Sequence, residues 1–336
     1  MNRPEKTLIL KGSEVRSLLD PRAAIEAVAG ALASHARGET QMPSKVYISM
    51  PDLDGDFRAM PVRIGERAGV KWINAHPHNP ARHGLPSVIG VFILSDAVTA
   101  RPLAIMDATG LTSVRTGAAA AVATRHLARP DAATLGIVGC GAQAASVIES
   151  HVEVMQPRES HESGGIREIR LYDACEDAAR RLAGELSHLP CVVSDLRGAA
   201  SADVVCTLTP SRTPFIRADM LRAGCHINAM GADAPGKQEL EAGVLATARI
   251  FLDDAEQARE SGEVNVPLRH GQLARDSIAG TLGDVVAGLV PGRDGADLTV
   301  FDSTGLAVQD LAVANLVYER AVERGLGLGI DLVDEI

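Results

Sequence analysis

Residues 135–144 read LGIVGCGAQA, and the fold turns on what this stretch is. Two glycines, Gly139 and Gly141, stand where a dinucleotide-binding turn has them, but Ala144 occupies the place of a third. A glycine pair alone is a weak signal, so its surroundings decide. TLGIV before it is an apolar run that reads as a strand, and AQAASVIESHVEV after it reads as a helix. Amides and dipole at the start of such a helix can receive a pyrophosphate. The pattern also asks for an acid at the end of the next strand, to hold ribose hydroxyls, and Asp173 closes EIRLYD. It comes later than the roughly 20 residues usual. The polar stretch MQPRESHESGGIRE at 155–168 accounts for the excess. A third glycine chiefly lets the helix pack closely on the strand, and alanine is tolerated there. The competing reading is a glycine turn that binds nothing, and it leaves the strand, helix and acid as coincidence. A carboxylate at 173 would repel a 2′-phosphate, and Ala174 and Cys175 offer no cation to one, so NAD is expected over NADP.

Outward from this turn, strand and helix patterns keep alternating. EIRLYDA runs into CEDAARRLAGELS and CVVSD into LRGAASA; DVVCTLTP, CHINAM and ARIFLDD follow. Such alternation predicts an α/β fold with a doubly wound parallel sheet of Rossmann type. Upstream the pattern differs. EVRSLLDPRAAIEAVAGALASHA at 14–36 carries apolar residues at helical spacing, with Asp20 as N-cap before Pro21. KVYISM, FRAMPVRI, GVKWINA and SVIGVFILSD read as strands of a mostly antiparallel sheet. LTSVRTGAAAAVATRHLA at 111–128 reads as a helix ended by Arg129-Pro130-Asp131. The chain is therefore expected to divide near 129, into an α+β domain over 1–128 and a Rossmann-type domain over 129–303. It closes on a short strand and a long amphipathic helix, TVFDSTGLAVQDLAVANLVYERAVERG.

Composition bounds the function. A chain of 336 residues, 46% hydrophobic, is enough for about two domains with substantial cores. A net charge of −10 argues against nucleic acid or an anionic membrane as partner, while leaving room for a local basic pocket. No apolar run approaches the ~20 residues of a membrane span. TLIL near the start is too short for a secretory signal, so a cytoplasmic protein is expected. The five cysteines are an odd number without CxxC spacing and fit neither zinc nor a disulfide framework. Cys206 and Cys225 lie in apolar runs and read as small buried hydrophobes. His76, His78 and His83 lack HExxH spacing and are interrupted by prolines, so no metal is expected. LDDAEQARESGE at 252–263 reads as a solvated helix end and loop.

Three charged residues stand in segments that otherwise read as buried: Lys71 in GVKWINA, Arg115 in LTSVRTGAAA, and Asp233 after a strand in NAMGADAPGKQEL. Two cations and a carboxylate suit an amino or imino acid. Arginine grips a carboxylate through two parallel hydrogen bonds. A desolvated lysine beside another cation exchanges protons near neutrality. Asn74 and His76, which follow Lys71, are expected to line the same pocket. Taken singly, each charge also has a structural reading: Lys71 snorkelling from an edge strand, and Arg115 and Asp233 as members of ion pairs.

FRAMP, GVKWINAHPHNP, GLPSV, SVRTGAAAAVATRHLARP, GIVGCGAQA, INAMGADAPGKQEL, SGEVNVPL and FDSTGLAVQD run in this order over nearly the whole chain. Together they resemble the ornithine cyclodeaminase/mu-crystallin family. MPSKVY, DFRAMP and NAMGADAPGKQEL most resemble its alanine-dehydrogenase-like, imine-reducing members. The resemblance implies a homodimer whose first domain, completed by 304–336, forms the interface and substrate pocket. It implies that Arg115 binds the substrate carboxylate with Lys71 beside it, that Lys45, Arg58 and Thr304 join the substrate site, and that Asp233 is the general acid/base. Ser87, Arg115, Thr116, Gly139, Gly141, Ala142, Gln143 and Asp173 would contact NAD, with Thr207, Lys237 and Ser303 near the nicotinamide or phosphates. Ornithine cyclodeaminases carry a glutamate at Arg58, for the substrate's amino group, and an arginine at Lys45; the arginine here disfavours a diamino acid and leaves room for a second carboxylate. The expected activity is NAD-dependent reduction of an imine, or of a 2-oxo acid with ammonia, to a small L-amino acid of alanine or aspartate type. The alternatives are ornithine cyclodeamination and mu-crystallin-like binding of nucleotide and small ligand without turnover.

Overall fold

A computed structural model describes residues 6–155 and 165–333. The chain forms two compact units, Met1–Arg115 with Leu306–Ile336, and Thr116–Gly305. In the first, the strands are β1 (Thr7–Leu10), β2 (Thr40–Gln41), β3 (Val46–Met50), β4 (Gly55–Ile64), β5 (Arg67–Ala75), β6 (Val88–Asp96), β7 (Pro102–Asp107) and a C-terminal strand, Leu328–Ile330. They lie in the order C-terminal strand, β1, β7, β6, β5, β4, β2, with β3 also paired to β4. Every pairing is antiparallel except β1 with β7. TLIL and PLAIMD, whose composition shows no alternation, become β1 and β7 because the sheet buries them.

Alternation does govern β4 to β6. Met60, Lys71, Phe92 and Met106 are direct partners across four strands and are all buried. Their face is covered by the C-terminal helix, Ala307–Arg324, which packs on β4 and β5. Helix α1 (Gly12–Leu18) leads into α2 (Pro21–Ala36), which starts where the sequence predicts: the Asp20 carboxylate accepts from the Arg22 amide at 3.0 Å, with Pro21 next. The buried stripe of α2, including Ile25, Val28 and Leu32, packs on the C-terminal helix. Each such aliphatic side chain contributes roughly 1.5–3 kcal/mol on burial. On the opposite face, Val46, Ala59, Trp72 and Val91 form a row, and Val46 is 61% exposed and Trp72 39%. Phe57 stacks on Trp72 with ring centroids 5.2 Å apart.

The second unit is a parallel sheet of β8 (Thr134–Val138), β9 (Glu168–Tyr172), β10 (Cys191–Val193), β11 (Val204–Thr207), β12 (His226–Ala229), β13 (Arg249–Leu252), β14 (Ile278–Thr281) and β15 (Thr299–Asp302). Their order is β10-β9-β8-β11-β12-β15-β13-β14, and every pairing is parallel. This is the doubly wound Rossmann-type arrangement. The chain leaves β8 toward β9 on one side and resumes at β11 on the other, so the reversal of strand order falls where LGIVGCGAQA leaves the sheet. After a short α3 (Asn79–His83), α4 (Ala108–Leu127) carries the chain between the units; α5 (Ala144–Val154), α6 (Glu176–Glu185) and α7 (Leu196–Ala200) follow. The units divide inside α4, between Arg115 and Thr116, ahead of the change of pattern at 129. From Thr116 on, this helix belongs to the second unit: at Gly117 a Cβ would stand 2.4 Å from the Ser146 carbonyl oxygen of α5. The inserted stretch read at 155–168 falls largely on 156–164, outside the described residues. Among the described residues no helix is long and apolar enough to cross a membrane.

Candidate active site

The glycine turn has the geometry its sequence asks for. Gly139 follows β8 at φ +104°, which side chains rarely adopt, and a Cβ there would lie 3.0 Å from the Leu208 carbonyl carbon. A Cβ on Gly141 would meet nothing within 4 Å, so the turn presents an open backbone surface at the start of α5. Ala144, the first residue of α5, is fully buried, which is the close packing the third glycine serves. Asp173 ties the two adjoining turns together. One carboxylate oxygen accepts from the Cys140 amide at 2.8 Å and the other from the Cys175 amide at 2.8 Å. Two acceptor positions remain on that carboxylate for ribose hydroxyls. These features fit a dinucleotide.

In the first unit, Lys71 and Arg115 meet on Asp310, a residue to which the sequence assigned no role. Lys71 lies on β5 inside the sheet, 1% exposed, so it does not snorkel from an edge. Its ammonium is 2.7 Å from one carboxylate oxygen of Asp310, which is itself fully buried on the first turn of the C-terminal helix. Arg115 donates from Nε to the other oxygen of Asp310 at 3.1 Å and from Nη1 to Gln309 Oε1 at 3.2 Å. Burial, opposed by Asp310 and reinforced by the charges of Arg115 and Lys45, lowers Lys71 to about 7. Lysine and arginine thus share one buried carboxylate, and the lysine can change charge near neutrality. In the sequence Gln309 and Asp310 show as a polar pair inside the apolar run LAVQDLAVANL, at the end of the family-like stretch FDSTGLAVQD, with nothing to assign them a role.

Arg58 shares the inner face with Lys71, two residues from the direct partner Met60. It is not an uncommitted cation: Nε and Nη2 each donate to a carboxylate oxygen of Asp56 at 2.9 Å, and its guanidinium lies over the Tyr47 ring. Asn74 and His76 fall on the other face. Asn74 is the direct partner of Phe57, and His76 packs against Phe57 with centroids 5.7 Å apart. They do not share the inner face with Lys71, because successive strand residues point to opposite faces. Ser87 stands just before β6, where its carbonyl accepts from the His76 amide.

In the second unit, Asp233 lies in the loop after β12, at the carboxyl end of the sheet, 2.5 Å from the Lys237 ammonium. Thr116 is buried on α4. Three predicted contacts turn inward instead. Thr207 is fully buried and donates to Glu239 at 2.6 Å. The Thr304 amide and hydroxyl and the Ser303 hydroxyl all go to Asp253, the amide at 2.6 Å. Each hydroxyl completes the solvation of a buried carboxylate. The stretch 252–263 is solvated only in part: Ala255, Glu256, Arg259 and Glu260 are exposed. Asp253 and Glu263 are buried, and Glu263 accepts from the Glu239 and Leu240 amides. Burial, with the charges of Glu239 and Asp302, raises Glu263. Burial pushes Asp302 up to about 7 and the thiols of Cys140, Cys206 and Cys225 up to about 12. Among the described residues no group of three or more His, Cys, Asp or Glu side chains could hold a metal ion.

The sequence profile of the ornithine cyclodeaminase/mu-crystallin family matches residues 5–325. The alanine dehydrogenase of Archaeoglobus fulgidus is 43% identical over 325 residues, covering 96% of this chain and 97% of that protein. The iminosuccinate reductase of Paracoccus denitrificans is 34% identical over 334 residues, covering 97% of this chain and all of that protein. A solved archaeal alanine dehydrogenase dimer with bound NAD superposes with a TM-score of 0.91 at 42% identity, covering 98% of this chain and 100% of that one.

Proposed function

Since the chain belongs to the ornithine cyclodeaminase/mu-crystallin family, we propose that it is an NAD-dependent oxidoreductase that reduces the imine of a small 2-oxo monocarboxylic acid to an L-amino acid of alanine type. The observation that carries this reading is the pairing of Lys71 and Arg115 on the single buried carboxylate of Asp310. Arg115 holds the substrate carboxylate, with Lys45 adding positive charge nearby. Bound NADH supplies the hydride that forms the new C–H bond. As that bond forms, the C=N electron pair moves to nitrogen, which takes a proton from the Lys71 ammonium; water then reprotonates Lys71. Asp233, held by Lys237, keeps its assignment as a second proton-exchanging group. NADP is disfavoured by Asp173, as the 2′-phosphate would face its carboxylate.

Substrate choice rests on Arg58. With Asp56 already bound to it through two hydrogen bonds, a second substrate carboxylate would have to displace an internal partner. That favours pyruvate with ammonia over iminosuccinate, and an arginine at 58, where ornithine cyclodeaminases carry a glutamate, disfavours ornithine. The exposed apolar row of Val46, Trp72 and Val91, with Ile48 beside it, supports a homodimer. A double Val46→Lys, Trp72→Lys variant is expected to sediment as a monomer; a monomeric wild type refutes the assignment. Five unpaired thiols suit a reducing compartment, and we place the enzyme in the cytoplasm. The deciding assay follows NADH absorbance with ammonia and pyruvate, oxaloacetate, glyoxylate or cyclic imines. Consumption fastest with pyruvate is expected. Silence across the panel, with tight NADH binding retained, refutes the reductase reading.

A further inference from the structure

Resting on the Lys71 proton route above, we propose that Asp310 is a positioning residue that keeps Lys71 protonated for the reduction while aiming Arg115 at the substrate carboxylate. The geometry is specific to this division of labour. One oxygen of Asp310 meets the Lys71 ammonium at 2.7 Å and the other meets Arg115 Nε at 3.1 Å, and lysine and carboxylate are both buried. Gln309, one residue earlier on the same helix turn, takes a second guanidinium hydrogen at 3.2 Å.

A fully buried carboxylate is costly unless paired. Here it is paired twice, and its two oxygens face two cations of different chemistry. Arginine does not give up its proton in a protein, whereas a buried lysine readily does. Removing the negative charge would leave two cations side by side away from water, and only Lys71 can relieve that. The charged groups facing Lys71 are Asp310 from the C-terminal helix, Arg115 from α4 and Lys45 ahead of β3. Of these, Asp310 alone favours the ammonium.

A simple charge count gives a test that scaffolding alone would not meet. With Asp310 ionised and Lys71 protonated, the Lys71–Asp310–Arg115 group carries one net positive charge, which matches one substrate carboxylate. In Asp310→Asn, Lys71 becomes neutral and the group still carries one positive charge on Arg115. The amide oxygen can still accept from Arg115 Nε, and the amide nitrogen can donate to the neutral lysine. Substrate affinity is therefore retained while the proton donor is lost.

The experiment measures the pH dependence of reductive kcat and KM, using NADH, ammonia and pyruvate, for wild type, Asp310→Asn, Asp310→Leu, Asp310→Glu and Lys71→Met, each checked for folding by melting and NADH binding. Wild-type kcat should fall as pH rises through neutrality. In Asp310→Asn, or in Asp310→Leu should the asparagine variant not fold, the midpoint should move down by about one pH unit or more, a tenfold change in the acid constant. In Asp310→Asn, KM for pyruvate should stay within about twofold, the level below which a lost charged hydrogen bond is excluded, whereas Asp310→Leu, which takes the acceptor away from Arg115 Nε, should raise it. Asp310→Glu, which retains the charge, should keep the wild-type midpoint at lower kcat. An unmoved midpoint in the folded neutral variants, or a midpoint displaced as far in Asp310→Glu, overturns the proposal for Asp310. A flat wild-type profile, or a Lys71→Met enzyme that turns over normally, overturns instead the proton route through Lys71. The two failures are thus told apart.

Discussion

Acid should weaken the second unit through two buried histidines that take no part in the proposed chemistry. His151 of α5 and His226 of β12 are fully buried in a relay of neutral groups. His226 Nε2 is 3.1 Å from the Asn228 side-chain oxygen, and the Asn228 amide donates to Thr124 Oγ1 at 2.9 Å. Thr124 Oγ1 is 2.9 Å from His151 Nε2, and His151 Nδ1 is 2.7 Å from the Val147 carbonyl. A carbonyl only accepts, so the His151 proton sits on Nδ1, and Nε2 accepts from Thr124. A second proton on His151 would face a donor, at a fully buried ring. Burial accordingly lowers His151 to about 4 and His226 to about 3. Unfolded histidine titrates near 6.5. The folded-state values are depressed, so the unfolded chain takes up protons first, and stability is lost as pH falls below about 6.5. About pH 5 lies roughly 1.5 pH units below the unfolded value and above both folded ones, so at ~1.4 kcal/mol per pH unit each histidine costs about 2 kcal/mol there. Asp302 acts in the opposite sense, because its folded value is raised to about 7 and acid relieves it. The clean readout is therefore a difference. Urea unfolding of wild type and His151→Gln at about pH 7.5 and about pH 5 should show the variant's deficit shrinking by about 2 kcal/mol in acid. A deficit that does not change with pH refutes the buried neutral assignment of His151.

Two further outcomes test the recognition residues. Asp56→Asn removes the negative charge paired with the Arg58 guanidinium, and a charge-assisted hydrogen bond is worth about 1.5–3 kcal/mol. The ratio of kcat/KM for oxaloacetate over pyruvate, each with ammonia, should rise about tenfold or more; an unchanged ratio removes Arg58 from substrate selection. Asp173→Ser takes away the charge facing a 2′-phosphate while sparing a hydroxyl for the Cys140 amide. NADPH should gain on NADH by about tenfold, a change of ~1.4 kcal/mol, in fluorescence titrations; a constant ratio refutes the role of Asp173 in cofactor choice.

The sequence by itself determined what depends on near neighbours. LGIVGCGAQA, with its strand and helix, specified the turn and a parallel sheet around it, because strand period, glycine at positive φ and helix initiation are local properties. The Asp20 cap and the alternation of GVKWINA are legible for the same reason, and so was the oddity of Lys71 and Arg115 among apolar neighbours. Tertiary structure decided which groups those charges meet. Asp310 is far along the chain from Lys71, and only the docking of the C-terminal helix on β4 and β5 brings them to 2.7 Å. It also turned Asn74 and His76 away from Lys71, gave Arg58 to Asp56, and turned Thr207, Ser303 and Thr304 toward internal carboxylates. A charge in a sequence announces that a partner is needed, since burial without one is too costly. Which partner answers is set by packing between distant segments, and no local spacing records it.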